Sequence, residues 1–349
     1  MTRSINFSRL RIALPFPRFA VPRLALALLA LLALAMLSAA CTNSDDSTTA
    51  TATATRAASA LPDATVVPAP VAAIGDSEYP FTIVDSSDTE VEISTAPARV
   101  ISYSPAATEI LFAIGAGDLV VAADQFSDFP AATADLPKLK YSNPSPEAAL
   151  AHDPDLVLMV TQQQQQVQQY RDLGMTVLSL TEAASLDGVI EDVRLLGRIT
   201  DTNEQAEALA NEMQQSIDAI AAAIADVDEG PRVFFELTTD LYSVGENTFV
   251  GGMISLLKGR NVAAGSTSDF PQLSAEAVIV ADPEVVLLAD AAFGGDPESV
   301  AARPGWDIVS AVVNDRLFAV DPDLTNRPGP RIVEGLAELA RALYPDRFE

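Results

Sequence analysis

Ser145-Pro-Glu147-Ala-Ala-Leu-Ala-His152-Asp153-Pro154-Asp-Leu-Val-Leu-Met159 returns 129 residues later as Ser274-Ala-Glu276-Ala-Val-Ile-Val-Ala-Asp282-Pro283-Glu-Val-Val-Leu-Leu288. Each copy reads as a helix opened by a capping serine, an Asp-Pro turn and a short buried strand. Ser127-Asp-Phe-Pro130 recurs as Ser268-Asp-Phe-Pro271 at an offset of 141, so the first copy carries one extra loop. Two matches in the same order mark a duplicated α/β unit. A duplicated unit places two sets of strand-end loops opposite one another, and ligands of open α/β sheets bind beyond the carboxyl ends of strands.

Outward from the repeats, short apolar runs alternate with helical spacing. Arg99–Tyr103, Val120–Ala123, Leu156–Val160 and Thr176–Leu180 read as buried strands, with helices at 107–114, 146–151 and 163–173. Alternation of this kind predicts parallel sheets covered on both faces. A polar-edged strand or hairpin over Phe81–Ile93 opens the folded part. Residues 186–228 contain no strand-like run. Leu186–Arg198 is amphipathic, Thr202 and Gln205 have capping-box spacing, and a second helical pattern runs to about Val227. Strands resume at Arg232–Phe235, Val285–Ala289 and Leu317–Val320. The expected fold is α/β: two similar lobes with mainly parallel sheets, joined by a long connecting helix, with a ligand cleft between them. The lobes are expected at 79–185 and 229–349, with the connector at 186–228.

The amino terminus reads differently. Residues 1–40 carry Arg3, Arg9, Arg11, Arg18 and Arg23 and no acid, then fourteen unbroken Leu, Ala and Met residues over Leu24–Leu37. That run is short for a membrane span of ~20 residues and suits a signal peptide. Leu37-Ser38-Ala39-Ala40-Cys41 looks like a lipobox with Ser38 where Leu is more usual, which implies cleavage before Cys41 and lipid attachment to it. Fifteen of residues 42–60 are Thr, Ala or Ser, too few apolar groups to offset the entropy of ordering, so 41–78 reads as a disordered stalk.

Composition excludes several classes. The 349 residues hold 48 acids against 21 Lys and Arg, a net charge of −27, which argues against nucleic acid as a partner. One Cys and one His leave no disulfide framework, no His or Cys metal site and little room for a Ser-His-Asp triad. His152 is expected at a helix end on the surface. No G-x-G-x-x-G after a strand, P-loop or G-x-S-x-G elbow is present.

The region from Arg99 to Phe348 resembles the helical-backbone class of ABC-importer substrate-binding proteins for cobalamin, haem and iron-siderophores. The resemblance rests on Arg99-Val-Ile-Ser-Tyr-Ser-Pro-Ala-Ala-Thr-Glu-Ile-Leu-Phe-Ala-Ile-Gly115, Ser145-Pro-Glu147…Asp153-Pro-Asp-Leu-Val157, Pro304-Gly-Trp306 and Arg327-Pro-Gly-Pro-Arg331-Ile-Val-Glu-Gly335. It implies no catalysis, and capture of a metal chelate outside the cell for a permease dimer driven by a cytoplasmic ATPase. The molecule would be a monomer anchored to the outer face of the membrane by lipid alone. Tyr103, Ser104, Thr108, Asp124, Phe126 and Tyr141 are then the expected ligand-binding residues of the first lobe. Tyr242, Phe270, Phe293 and Arg327 are those of the second, since flat rings suit a corrin or porphyrin face. Trp306 and Arg331 are expected in structural roles. Glu147 and Glu276, in equivalent first helical turns, match the family's permease-docking glutamates; a carboxylate there also complements the helix dipole. The ligand is not a cofactor. Only three Lys (138, 140 and 258) are present, which favours a weakly charged chelate such as cobalamin over ferric siderophore or haem. A surface adhesion or sensor module on the same fold, or a carboxylate-dependent hydrolase, are the other readings that composition leaves open. Cys41→Ala should leave the protein unlipidated, in the soluble or uncleaved fraction; fatty-acid labelling that survives the substitution would place the anchor elsewhere.

Overall fold

The structure, a computed structural model, describes residues 77–348, which fall in one compact unit. The signal peptide, Cys41 and the stalk up to residue 76 lie outside the described residues. Phe81–Val84 (β1) and Glu90–Ile93 (β2) pair as the expected antiparallel hairpin. The first lobe's sheet contains Val100–Ser102 (β3), Val120–Asp124 (β4), Lys138–Leu139 (β5), Leu156–Val160 (β6) and Val177–Leu180 (β7). Its order is β5-β4-β3-β6-β7 and every pairing is parallel. Pro105–Ala113 (α1), Pro146–Leu150 (α2) and Gln164–Asp172 (α3) connect the strands. The hairpin is fixed to this lobe by Asp85, whose buried carboxylate lies 2.5 Å from the Arg171 guanidinium and accepts the Ser179 amide at 2.9 Å.

The connector is built from the two helical segments that the sequence shows, the second of them the long one. Leu186–Thr200 (α4) ends at Asp201 in the left-handed conformation, φ 58°, and Asn203–Ala223 (α5) begins at once. The two helices pack on each other, and Arg194 of α4 makes paired bonds to Glu207 of α5 at 2.7 and 3.1 Å. The expected capping box does not form: the Thr202 side chain caps no amide and its hydroxyl lies 2.9 Å from that of Thr200. α5, 21 residues and so ~31 Å long, carries the chain to the second lobe.

The second lobe's sheet contains Arg232–Glu236 (β8), Arg260–Asn261 (β9), Val285–Leu288 (β10) and Leu317–Ala319 (β11), all parallel in the order β11-β10-β8-β9. Its helices are Phe249–Leu256 (α6), Ala275–Ala281 (α7), Pro297–Ala301 (α8), Ser310–Val313 (α9), Pro322–Thr325 (α10) and Ile332–Leu343 (α11). The sequence repeat is a structural repeat. Ser145 and Ser274 cap α2 and α7 by accepting the Ala148 and Ala277 amides. Asp153 and Asp282 both take positive φ, 46° and 47°. Arg99 and Arg232, at the starts of equivalent strands, each donate to the carbonyl of that aspartate, at 2.8 and 2.7 Å.

Three apolar cores result. One lies behind the first sheet around Ile101, Val157 and Tyr170, and one behind the second around Phe234, Val286 and Trp306. The third is shared: Val100, Ile110 and Leu158 of the first lobe, Val193 and Met213 of the connector, and Phe235, Leu287 and Leu336 of the second belong to one buried cluster. The lobes are therefore joined through a common interior and not by loose strands.

Candidate ligand-binding cleft

Five aromatic residues follow the carboxyl ends of parallel strands. Phe126 follows β4, Tyr141 β5, Tyr242 β8, Phe270 β9 and Phe293 β10. Phe126, Tyr242, Phe270 and Phe293 are 51%, 40%, 57% and 82% exposed, although burying such a ring is worth several kcal/mol. Half-buried Tyr141 meets Phe126 edge-on at 5.7 Å. Phe129, which the sequence reading passed over, is also exposed and occupies the position that Phe270 holds in the second repeat.

The remaining expected residues of the first lobe lie beneath this surface. Tyr103 is fully buried in the core behind β3, its hydroxyl 2.8 Å from that of Tyr170, and so is not on the wall. Ser104 caps α1 by accepting the Ala107 amide. Buried Thr108 has its hydroxyl 2.9 Å from Ser102 Oγ, Ser104 O and Ser127 Oγ. Asp124, also buried, accepts from the Phe126 amide at 2.8 Å and from Ser127 Oγ at 2.5 Å. Burial pushes its carboxyl pKa up, opposed by those bonds and by Lys138 and Arg327. These side chains form a hydroxyl–carboxylate network that holds the loop presenting Phe126. They support the wall from beneath.

Arg327 reaches across from the second lobe. Its guanidinium lies 2.9 Å from Glu109 of α1, 2.9 Å from Asp128 and 2.9 Å from Asp323. Arg331 binds the same Glu109 at 2.6 and 3.1 Å and stacks over Phe129, 3.8 Å from the ring centre. Burial disfavours the Arg327 charge, but Glu109 and Asp128 outweigh it and hold its pKa above the ordinary value; Glu109 does the same for Arg331. The strand-end loops of the two lobes thus meet at an ion cluster. Beside it, Ser104, Ala107, Val160, Asp192, Leu196 and Pro328 line a narrow, mainly apolar pocket at the root of the cleft. Burial and neighbouring Glu191 push the Asp192 pKa up to about 6.

Other cations on these loops are also engaged. Arg303 makes a bidentate pair with Glu236 at 2.7 and 2.5 Å and lies over the ring of Trp306, which is buried as expected. Lys138 donates to the Ser127 carbonyl, while Lys140 is exposed beside Tyr141. Glu147 and Glu276 are exposed in the first turns of α2 and α7, and Glu147 accepts from Ser145 Oγ at 2.7 Å. Among the described residues, no group of three His, Cys, Asp or Glu could hold a metal ion, and no helix is long and apolar enough to cross a membrane.

Two parallel-sheet lobes with facing strand-end loops and a helical connector define a solute-binding protein of the cleft type. A family model described as periplasmic binding protein matches residues 100–324, and the chain belongs to that family. It is 32% identical over 279 residues, 78% of this chain and 88% of the relative, to an uncharacterized ABC transporter substrate-binding lipoprotein, YvrC, of Bacillus subtilis. It is 34% identical over 297 residues, 81% of this chain and 80% of the relative, to a cobalamin-binding protein of Halobacterium salinarum. Among solved structures, the periplasmic haem-binding protein RhuT from Roseiflexus sp. RS-1 superposes with a TM-score of 0.64 at 29% identity, covering 72% of this chain and 99% of that one.

Glu109→Ala would leave two guanidiniums without their shared carboxylate at a mostly buried contact, an expected loss of about 3 kcal/mol. Urea unfolding should show that loss, and solution scattering should show a larger radius of gyration. Unchanged scattering would mean that the shared core alone holds the lobes together.

Proposed function

We propose that this chain is the extracytoplasmic receptor of an ABC importer for a planar, weakly charged metal chelate of the corrinoid class. The observation that carries the reading is the set of rings on five strand-end loops, Phe126, Tyr242, Phe270 and Phe293 exposed and Tyr141 half-buried. Rings so placed cost solvation until a flat hydrophobic ligand covers them. The charge pattern narrows the ligand. Arg303, Arg327 and Arg331 are each saturated by carboxylates, leaving little cationic capacity for the acid groups of haem or an anionic siderophore. The cobalamin-binding relative supports the choice of corrinoid, and the haem-binding structural relative supports the wider tetrapyrrole class. Arg327 contributes by fixing Asp128 and Phe126 in place more than by meeting ligand.

Delivery follows from the duplication. A permease dimer offers two equal basic sites, and Glu147 and Glu276, one exposed carboxylate per repeat, can pair with them through charge-assisted bonds. Cys41 carries the lipid and residues 41–78 the tether, so the receptor works as a monomer at the outer membrane face without a catalytic step.

Calorimetric titration with cyanocobalamin, haemin and a ferric siderophore tests the ligand. Cyanocobalamin should bind tightest, below about 10 μM, roughly 7 kcal/mol, and Phe126→Ala with Phe270→Ala should weaken it at least tenfold; absence of binding to all three would favour an adhesion or sensor role. Glu147→Arg with Glu276→Arg should abolish uptake while leaving ligand affinity and folding intact, and normal uptake by the folded double variant would leave the helix dipole as the reason for both glutamates.

A further inference from the structure

Asp290 follows β10 and opens the short loop that carries Phe293. It is 3% exposed, yet no amide, hydroxyl or cationic donor of another residue meets either carboxylate oxygen. Among the described residues, the buried side-chain nitrogen and oxygen atoms in that condition are these two oxygens and the hydroxyl of Ser243. Ser243 directly follows Tyr242. The orphaned polar atoms therefore adjoin two exposed rings of the second lobe. The first lobe is built otherwise, because the carboxylate of Asp124 at the end of β4 is filled by the Phe126 amide and Ser127.

The surroundings of Asp290 explain why it stays unfilled. Glu236, at the end of β8, lies close enough to share a proton with Asp290, and Arg303 commits both of its nitrogen arms to Glu236, so one shared proton is all that reaches the Asp290 carboxylate. Burial pushes the pKa of both acids up, with Arg303 opposing in each case. Gly295 passes directly over the carboxylate: a Cβ there would lie 2.2 Å from Asp290 Oδ1. The loop between is a single turn, Ala291–Phe293, closed by Gly294 at φ +101°. It is held by the Phe293 and Gly295 amides donating to the Asp290 carbonyl at 2.7 and 3.2 Å, and by Ser299 Oγ donating to the Gly294 carbonyl at 2.8 Å. No side chain caps it. A cover this light moves at little cost, whereas a buried acceptor without a donor is expensive to keep.

We propose that Asp290 is the hydrogen-bond acceptor through which the second lobe reads donor groups on the rim of the chelate, primary amide NH₂ above all, when the Ala291–Gly295 segment lifts from it. The proposal rests on the corrinoid reading and names the rim chemistry behind it. An amide arriving at Asp290 satisfies the orphaned oxygens. A carboxylate arriving there meets Asp290 and Glu236, two acids whose one neighbouring guanidinium is already taken by Glu236, and is repelled. The same site thus attracts an amide-edged macrocycle and rejects an acid-edged one.

Calorimetric titration of the purified protein with cyanocobalamin and with each singly hydrolysed rim acid of cyanocobalamin tests this. The wild type should bind the amide about tenfold or more tighter than at least one of the acids, and Asp290→Asn should bring that ratio within about threefold of unity, because an asparagine tolerates either group. A merely structural role would weaken amide and acid alike, and that result overturns the proposal. So does an Asp290→Asn protein that keeps the wild-type ratio for every acid, with the corrinoid reading left standing. If the wild type binds no cyanocobalamin, the corrinoid reading and the role of Asp290 fall together.

Discussion

Glu109 lies in α1 of the first lobe, and its two oxygens are divided between Arg327 and Arg331 of the second. Gly329 lies against it closely enough that a Cβ would be 3.2 Å from its carboxylate. Everything at the cleft is referenced to this contact. Arg327 also holds Asp128 and Asp323, and Arg331 covers Phe129, so the loop after β4 is positioned by the opposite lobe. Buried charges cannot be separated without losing several kcal/mol. The shared core restrains the lobes on the connector side, and the ion cluster restrains them at the strand ends. Wide rotation on ligand binding would break one or the other. Adaptation to a ligand would then fall to loops and side chains, Ala291–Gly295 among them.

Duplication supplies the frame, and divergence supplies the function. The repeated Asp-Pro turn, the arginine that grips it and the helix-capping serine recur in both lobes because both must start a parallel strand at the same place. The loops at the other ends of those strands do not recur in chemistry. The first lobe fixes its wall with Ser102, Thr108, Ser127 and Asp124, a network whose buried hydrogen-bonding capacity is used internally. The second lobe leaves Asp290 and Ser243 open. One wall spends its buried hydrogen-bonding groups on itself, and the other keeps unmet polar demand beneath a short loop.

Most of the fold was legible because periodicity and repetition are local properties. The longer parallel strands, the hairpin over Phe81–Ile93 and the two-lobe arrangement follow from them, whereas the two-residue strands Lys138–Leu139 and Arg260–Asn261 are too short to show a period. The connector's two helical segments were legible on either side of Asp201, but nothing in amphipathic spacing reveals that this aspartate turns left-handed and packs the second helix against the first. Tyr103 was misassigned although its parity was available: it alternates with Val100 and Ser102 and shares a face with Ile101, which is the core behind the sheet. Phe129 was available too, as the repeat partner of Phe270. Glu109 announced itself as an acid in an apolar helix, but its partners stand 218 and 222 residues away, a distance no local pattern spans.

The net charge of −27 repels anionic chelates at long range, but salt screens such a field beyond about 8 Å, so discrimination must be made at contact. There the arginines are occupied. On the corrinoid reading affinity comes from covering apolar surface, and a ring already about half-buried that covers a further ~80 Å² at about 25 cal/mol per Å² offers about 2 kcal/mol before ordering costs. Five such rings together reach the ~8 kcal/mol of a micromolar complex only before the cost of association is counted. Area alone, however, does not separate one flat macrocycle from another, because porphyrin and corrin present similar faces. What differs between them is the edge, acids on one and amides on the other. On the corrinoid reading, a receptor whose cleft arginines are occupied and whose buried Asp290 is short of donors senses that edge.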